Sequence, residues 1–139
     1  MDYSALSKEL IRHMMRISAI PMQKHMDRFV CGEMFVLLQL NRAPGSLPSE
    51  LAKSSGTSTA HIAKILRNLQ AKGEITRQPD PDDRRRVTVL LTDAGLERIH
   101  RATEHMLGEV NKLMDHLGES DAQELVRIIG RIAEMKTAY

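Results

Sequence analysis

The chain has 139 residues, a net charge of +2, two Phe, two Tyr, no Trp and one Cys. So few aromatic rings disfavour recognition of single-stranded nucleic acid by base stacking. The lone Cys31 excludes an intramolecular disulfide and a cysteine-rich zinc site. No signal peptide and no apolar run of about 18 residues is visible, which predicts a cytoplasmic protein without membrane association.

The first part of the chain contains three predicted helices. Apolar residues recur at helical spacing over residues 4–20, and Pro21 predicts a kink or an end there. The segment from Glu33 to Asn41 is almost wholly apolar at its centre, which predicts a helix buried on most sides. A turn follows, and Ser46 or a near neighbour is expected to cap a short helix from Pro48 to Ser54.

A central helix follows after a short turn that contains glycine. Its apolar residues from Ile62 to Leu69 repeat with a 3.6-residue period, and Gly73 is a stop signal. Thr57 or Ser58 is expected to cap its first turn. A helix, a tight turn and a second helix predict a helix-turn-helix, whose second helix enters the major groove of DNA. The opposite face is rich in hydrogen-bond donors: Thr59, His61, Lys64, Arg67 and Asn68.

A charged β-hairpin is predicted after this helix. Short β-prone segments cover Ile75 to Arg77 and Val87 to Leu91. Turn residues lie between them at Asp80 to Asp83, and Arg84 to Arg86 form a cationic tip. A helix followed by a hairpin with an arginine tip predicts a winged helix.

Two more helices complete the prediction. Apolar residues keep the helical period from Thr92 to Leu117, Gly118 interrupts it, and Ser120 with Asp121 starts a last helix. The first helix and these two have longer apolar stripes than a winged helix of roughly ninety residues can cover. A second copy of the chain is the simplest cover, so we predict a homodimer.

Together these elements predict a single, mainly α domain with a small β-wing. The winged helix-turn-helix DNA-binding part covers residues 33–91, and dimerisation helices cover 1–28 and 92–139. The net charge is +3 from His61 to Arg86 and −2 from Leu96 to Tyr139. Positive potential is favoured where phosphates are neutralised, so this asymmetry indicates double-stranded DNA as the partner.

The sequence resembles the MarR family of bacterial winged-helix regulators over essentially its whole length. The wing signature D-x-R…V-x-L-T-x-x-G is matched by Asp83-Arg84-Arg85, Val87 to Leu91, Thr92 and Gly95. The patterns E-L-A and L-x-x-x-G-x-I-x-R are matched by Glu50-Leu51-Ala52 and by Leu69, Gly73, Ile75 and Arg77. Glu74 departs from the family pattern, which usually has an apolar residue there, and we expect its carboxylate to face solvent or to pair with Lys72.

The resemblance implies an obligate homodimer on a pseudo-palindromic operator, usually a repressor released by a small ligand. It implies that Arg85 enters the minor groove and that Asp83 orients it. An arginine suits the negative potential of a narrow minor groove, and an aspartate two residues away can hold its fork by a bidentate bond. The predicted DNA-binding residues are Ser58, Thr59, His61, Lys64, Arg67, Arg77, Asp83, Arg84, Arg85 and Arg86.

The resemblance also implies a small hydrophobic or phenolic effector. It would bind between the N-terminal helix, the helix from Glu33 to Asn41 and the long helix after the wing. Met14, Met34 and Cys31 are the expected lining residues. The flexible thioethers of the two methionines can adapt to varied ligands. The alternatives are that the methionines are ordinary core, and that Cys31 is a buried small residue or an oxidant-sensitive thiol.

Other site chemistry has little support in the sequence. His100 with Glu104 and His105 with Glu109 can each meet on a helix face, but further ligands are not evident, so we expect no metal and no cofactor. The sequence has no catalytic triad pattern, P-loop or G-x-G-x-x-G motif, so we predict that it is not an enzyme. The prediction is a sequence-specific transcriptional regulator; the alternatives are a protein-interaction module or an architectural DNA binder.

Overall fold

A computed structural model of the chain describes residues 2–19 and 32–135. The chain divides into two compact units, Met1–Thr103 and Glu104–Tyr139. Among the described residues, no helix has the length and apolar character needed to cross a membrane. The elements are α1 (Ser4–Ile17), α2 (Gly32–Arg42), α3 (Pro48–Ser55), α4 (Thr59–Ala71), β1 (Ile75–Pro79), β2 (Val87–Leu91), α5 (Asp93–Leu117) and α6 (Glu119–Glu134).

The first helix is shorter than the sequence predicted. It ends at Ile17 rather than near Ile20, and the predicted kink at Pro21 lies outside the described residues. The amide of Ser18 still donates to the carbonyl of Met14 at 3.0 Å, but the amide of Ala19 donates to the carbonyl of Arg16 at 3.2 Å, and this shorter step ends the α-helical ladder. No side chain of α1 is buried, and its large apolar residues are exposed: Leu6, Leu10, Ile11, Met14, Met15 and Ile17.

The first unit has one hydrophobic core, built from α2, α3, α4, both strands and the start of α5. The apolar face predicted for α4 is confirmed, and the centre of α2 is buried as its composition predicted. Removing these side chains from water is the main favourable term for this unit. The core residues are Met34, Val36, Leu37, Leu40, Leu51, Ala52, Ile62, Ile65, Leu66, Leu69, Ile75, Val89 and Ile99.

In the turn between α2 and α3, the N-cap residue of α3 is Leu47, the near neighbour of Ser46 that the prediction allowed. The side chain of Ser46 does not cap α3; its hydroxyl donates to the carbonyl of Ala43 at 2.6 Å. The capping contact comes from Glu50, whose carboxylate accepts the backbone N–H of Leu47 at 2.7 Å. Ser46 is held elsewhere because its carbonyl accepts the amide of Val89 at 3.1 Å. These bonds fasten the turn to β2.

The two strands form an antiparallel pair, with Ile75 opposite Leu91 and Pro79 opposite Val87. The turn from α4 into β1 requires glycine, because Gly73 has a φ of +71°. Glu74 donates its amide to the carbonyl of Leu69 at 2.9 Å, and Gly73 donates to Gln70 at 3.0 Å. These two bonds form a Schellman motif and confirm the predicted stop of the helix.

The second unit contains the end of α5 and all of α6. Gly118 interrupts the two helices as predicted, and α6 begins at Glu119, one residue before Ser120. No side chain of α6 is buried. Its large apolar residues form an exposed set: Val126, Ile128, Ile129 and Ile132, followed by Met135.

Candidate nucleic-acid interface

Helix α4 presents a polar face that is free for a partner. Ser58 is its N-cap, and the Ser58 hydroxyl accepts the backbone N–H of His61 at 3.2 Å. This bond satisfies one amide of the first turn and starts the helix at Thr59. Burial of the opposite face in the core orients the donors outward. The exposed residues are Thr59, His61, Lys64, Arg67 and Asn68, as predicted.

The loop at the tip of the wing has a defined backbone. The carboxylate of Asp80 accepts the amides of Asp82 at 2.8 Å and Asp83 at 3.3 Å. The amide of Asp80 donates to the carbonyl of Arg86 at 2.9 Å, which closes the loop. Asp80 was predicted only as a turn residue, although aspartate before proline in a turn is a signal for such backbone bonds.

Asp83 is placed differently from the expected bidentate pair. Its Oδ1 accepts the backbone N–H of Arg85 at 3.0 Å, so the carboxylate contacts the main chain and not the guanidinium. A carboxylate two residues upstream reaches the amide easily in an Asx turn, and this shapes the loop. The side chain of Arg85 is exposed and forms no ion pair within the described part of the chain.

The predicted cations of this surface are available for phosphates. Arg77 is exposed on β1, and Arg84, Arg85 and Arg86 are exposed on the tip. Within residues 2–19 and 32–135, no carboxylate forms an ion pair with any of them, nor with Lys64 or Arg67. Unpaired, hydrated cations can neutralise phosphates without first breaking a protein ion pair.

The start of α5 lies directly against the turn between α4 and the wing. Thr92 donates its hydroxyl to the carbonyl of Gly73 at 2.6 Å and its amide to the carbonyl of Glu74 at 3.1 Å. The same hydroxyl accepts the amide of Gly95 at 3.2 Å and caps the helix. A Cβ on Gly95 would overlap the carbonyl oxygen of Glu74. The threonine and glycine of the wing signature therefore permit this close approach.

Both expectations for Glu74 are wrong. Its side chain is 14% exposed and its Oε2 lies 2.5 Å from Nη1 of Arg98. Arg98 also reaches Glu33, with Nη2 2.9 Å from Oε2, and Lys72 contacts that same oxygen at 2.6 Å. We call Glu33, Lys72, Glu74 and Arg98 the Arg98 network. Sequence reasoning missed it because Glu33 and Arg98 are 65 residues apart.

The network changes the acidity of one member. Burial tends to raise the pKa of Glu33, but the hydrogen bonds and positive charges of Lys72 and Arg98 outweigh it and hold the pKa below its ordinary value of 4.5. Glu33 is therefore an anion at neutral pH. Its carboxylate contacts Nζ of Lys72 at 2.6 Å and Nη2 of Arg98 at 2.9 Å.

The expected effector residues do not share one environment. Met34 is 8% exposed and belongs to the core, whereas Met14 is 59% exposed on α1. Cys31 lies outside the described residues. The ordinary-core alternative therefore holds for Met34, and the effector pocket stays a prediction. A cavity of about 50 Å³ is lined by α2, the turn after α3 and α4, including Phe35, Thr57, His61 and Ile65.

The histidine and glutamate pairs of α5 do not assemble a metal site in the described part of the chain. No group of three or more His, Cys, Asp or Glu side chains there is arranged to hold an ion. His100 and Glu104 are exposed. His105 and Glu109 take part in other interactions, including that of Glu109 with Lys112 at 2.7 Å.

Known proteins resemble this chain in sequence and in fold. The MarR family model matches residues 32–87. The HTH-type transcriptional repressor NicR of Pseudomonas putida is 37% identical over 81 residues, which are 58% of this chain and 51% of NicR. The chain spans between 51% and 62% of the length of the curated relatives that it matches.

Two solved structures illustrate the likeness in fold. The YusO protein of Bacillus subtilis has a TM-score of 0.75 and 20% identity, with 95% of this chain and 94% of YusO covered. The transcriptional repressor CouR, solved with a 23-mer DNA duplex, has a TM-score of 0.65 and 25% identity, with 96% and 99% covered. The fold is a winged helix-turn-helix with flanking helices, and residues 32–87 within it match the model of the MarR family.

Proposed function

We propose that this protein is a sequence-specific regulator of transcription that binds double-stranded DNA. It acts as a homodimer on a pseudo-palindromic operator, and we assign it the role of a repressor that a small ligand releases. The proposal contains no catalytic step and no cofactor. Its place of action is the cytoplasm, where bacterial operators are found.

The main support is the combination of two DNA-reading elements in one compact unit. Helix α4 exposes donors at Thr59, His61 and Lys64, and a wing with a closed loop exposes three consecutive arginines. Donors on a helix can read base edges in the major groove, and arginine suits the minor groove. Ser58, Arg77, Arg84 and Arg86 would contact phosphates and supply most of the affinity.

The homodimer is supported by large apolar side chains of α1 and α6 that are exposed in the described ranges 2–19 and 32–135. Helices α1 and α6 bury no side chain, and even large apolar residues are exposed: Leu10 on α1 is 60% exposed and Ile132 on α6 is 57% exposed. Large apolar side chains that are exposed together in this way mark a protein interface. A two-fold dimer would also place two copies of α4 about one helical turn apart on DNA.

The repressor assignment rests on relatives. NicR is named as a transcriptional repressor, and CouR was solved as a repressor bound to a DNA duplex. A repressor would leave its operator when a ligand stabilises a different spacing of the two copies of α4. A crosslink that fixes this spacing should abolish the response to the ligand, and a surviving response would contradict the mechanism.

The deciding experiment selects bound fragments from genomic DNA of the source organism and titrates salt on the best fragment. A recovered pseudo-palindrome with a steep salt dependence supports the dimeric regulator. Uniform recovery with the same salt dependence would replace it with an architectural DNA binder. No recovery at low salt would contradict DNA binding and favour a protein-interaction module.

A further inference from the structure

The guanidinium of Arg98 is held by two carboxylates from different parts of the first unit. Nη1 lies 2.5 Å from Oε2 of Glu74, and Nη2 lies 2.9 Å from Oε2 of Glu33. The guanidinium is planar and its donors have fixed directions, so two separate partners define its orientation. Lys72 adds a second cation on the Glu33 oxygen at 2.6 Å.

The other members of the Arg98 network lie where the DNA-reading elements end or begin. Lys72 is the C-cap residue of α4, and Glu74 immediately precedes β1, the first strand of the wing. Glu33 lies in the first turn of α2, whose side chains form one wall of the core. None of the four belongs to the predicted DNA-binding set. Any effect of Arg98 on DNA binding would therefore act through the position of α4 and of the wing.

Burial distinguishes this network from the other ion pairs of α5. The side chains of Glu74, Glu33 and Arg98 are 14%, 20% and 30% exposed. Arg101, three residues further along α5, pairs with Glu97 at 3.5 Å with both side chains more than half exposed. Solvent screens such an exposed pair, whereas removing Arg98 leaves two partly buried carboxylates without this cation.

We propose that Arg98 is a positioning residue for DNA binding, which sets the orientation of α4 and the wing against the start of α5. This inference rests on the proposed function. Thr92 and Gly95 hold the backbone of the Gly73–Glu74 turn against α5. Arg98 adds side-chain contacts with Glu74 and Glu33, which fix the orientation of the turn relative to α5 and α2.

The inference predicts a specific change in the pattern of DNA affinity. Operator recognition requires the donors of α4 and the arginines of the wing to meet their groups together, so it depends on their relative orientation. Binding to random duplex depends on the number of cations near phosphates. The loss of Arg98 leaves the cations of the predicted interface unchanged. A loss of positioning therefore lowers specific affinity far more than non-specific affinity.

The experiment compares Arg98→Met with Arg101→Met in the full chain. Both changes remove one positive charge from α5 and keep a long aliphatic side chain. Binding to the selected fragment and to random duplex is measured by fluorescence anisotropy at a temperature where every variant is fully folded. We expect the specific affinity of Arg98→Met to fall about tenfold and its random-duplex affinity to change by less than about twofold. Arg101→Met should match the wild type on both.

Two further variants guard against misfolding of the first. Glu74→Gln keeps the shape of the side chain and removes one partner charge, so it should reproduce the loss of discrimination. Arg98→Lys keeps the charge but lacks the planar fork, so it should not restore full specific affinity. Full rescue by Arg98→Lys would show that only the charge matters and would overturn a positioning role.

A distance measurement tests positioning without DNA. Spin labels are placed at Gln78→Cys on β1 and His100→Cys on α5, with Cys31→Ser as background, and labelled protein is diluted with unlabelled protein. We expect a narrow distance distribution that Arg98→Met broadens and Arg101→Met does not. An unchanged distribution together with unchanged discrimination would overturn the Arg98 inference alone. If the wild type itself fails to discriminate the fragment from random duplex, the proposed function fails, and the label distances still decide what Arg98 does.

Discussion

Arg85 projects from a loop whose backbone is held by two aspartates. The carboxylates of Asp80 and Asp83 accept backbone hydrogen bonds at the tip, with the amides of Asp82, Asp83 and Arg85 as the donors. The guanidinium of Arg85 is left without an ion pair in the described part of the chain. At this scale the aspartates shape the loop, which leaves the proposed contact with DNA to the arginines.

Replacing Arg85 by alanine should weaken binding to the selected DNA fragment by roughly 1–3 kcal/mol, because the proposed minor-groove contact would be lost. Arg101→Ala is the matched control, since its side chain is 71% exposed on α5 and lies outside the predicted interface. Titrations of both variants against the same duplex measure the difference. Equal DNA affinities of the two variants would contradict a role of the wing in DNA binding.

Gly95 makes a second prediction at the scale of one residue. Gly95→Ala places a Cβ in the space of the carbonyl oxygen of Glu74, so α5 or the turn must shift. We expect the free energy of unfolding to fall by about 1–3 kcal/mol, as for other overpacked sites.

Gly108→Ala is the control for Gly95, because Gly108 lies on the same helix and a Cβ added there would meet nothing within 4 Å. This change should raise stability by up to about 1 kcal/mol through helix propensity. Urea denaturation measures both variants. A Gly95→Ala protein as stable as the wild type would contradict the close contact between α5 and the turn.

The elements of the winged helix are joined by both apolar packing and charge. Four leucines and isoleucines of α4 enter the core, while the C-terminal end of the same helix is tied to α2 and α5 through Lys72 and Glu33. The apolar contacts follow from the helical period. The charged contacts depend on which elements meet after the chain has folded.

The lowered pKa of Glu33 predicts an acid-sensitive contribution to stability. The carboxyl of the unfolded chain titrates near 4.5 and that of the folded chain below it. The contribution is therefore complete above about pH 4.5 and is lost as the pH falls through the lower folded value. Glu33→Gln should reduce the free energy of unfolding at pH 7, and the difference from the wild type should vanish in acid.

Urea denaturation of both proteins from neutral to strongly acidic pH measures this difference. Glu97→Gln is the control, because its exposed pair with Arg101 is screened by water and should contribute little at any pH. A difference between wild type and Glu33→Gln that persists unchanged in acid would show that the network does not depend on the Glu33 charge.

At the scale of the whole molecule, helices α1 and α6 bury no side chain in the part of the chain that the structure describes. Ile129 is 55% exposed on α6, and α1 has the same character. A second copy of the chain is the proposed cover. Ile129→Glu should raise the dissociation constant of the dimer at least about tenfold, because a charge would have to be buried in the interface.

Gln123→Glu introduces the same charge at an exposed polar position of α6 and should leave the dimer intact. Sedimentation velocity measures the oligomeric state of both variants, and DNA titrations should show a parallel loss for Ile129→Glu. If Ile129→Glu left the dissociation constant of the dimer unchanged, the result would contradict an interface that includes this face of α6.

Local patterns were sufficient to predict the helices of the first unit, the hairpin and the exposed polar face of α4. These features depend on contacts between residues a few positions apart, which periodicity, caps and turn residues encode. The α4 face was predicted because its burial pattern follows from helical geometry. The stop at Gly73 was predicted because glycine readily adopts the left-handed φ that a helix end often needs, and Gly73 has such a φ.

Only the tertiary structure decided the contacts between distant parts of the chain. Arg98 meets Glu33 across 65 residues, and Ser46 is bonded to Val89 instead of capping α3. No local pattern contains these distances, because they arise when packing of the core brings separate elements together. Asp83 illustrates the same limit at short range: sequence spacing placed it beside Arg85, and the folded loop decided that it binds the backbone of Arg85 and not its guanidinium.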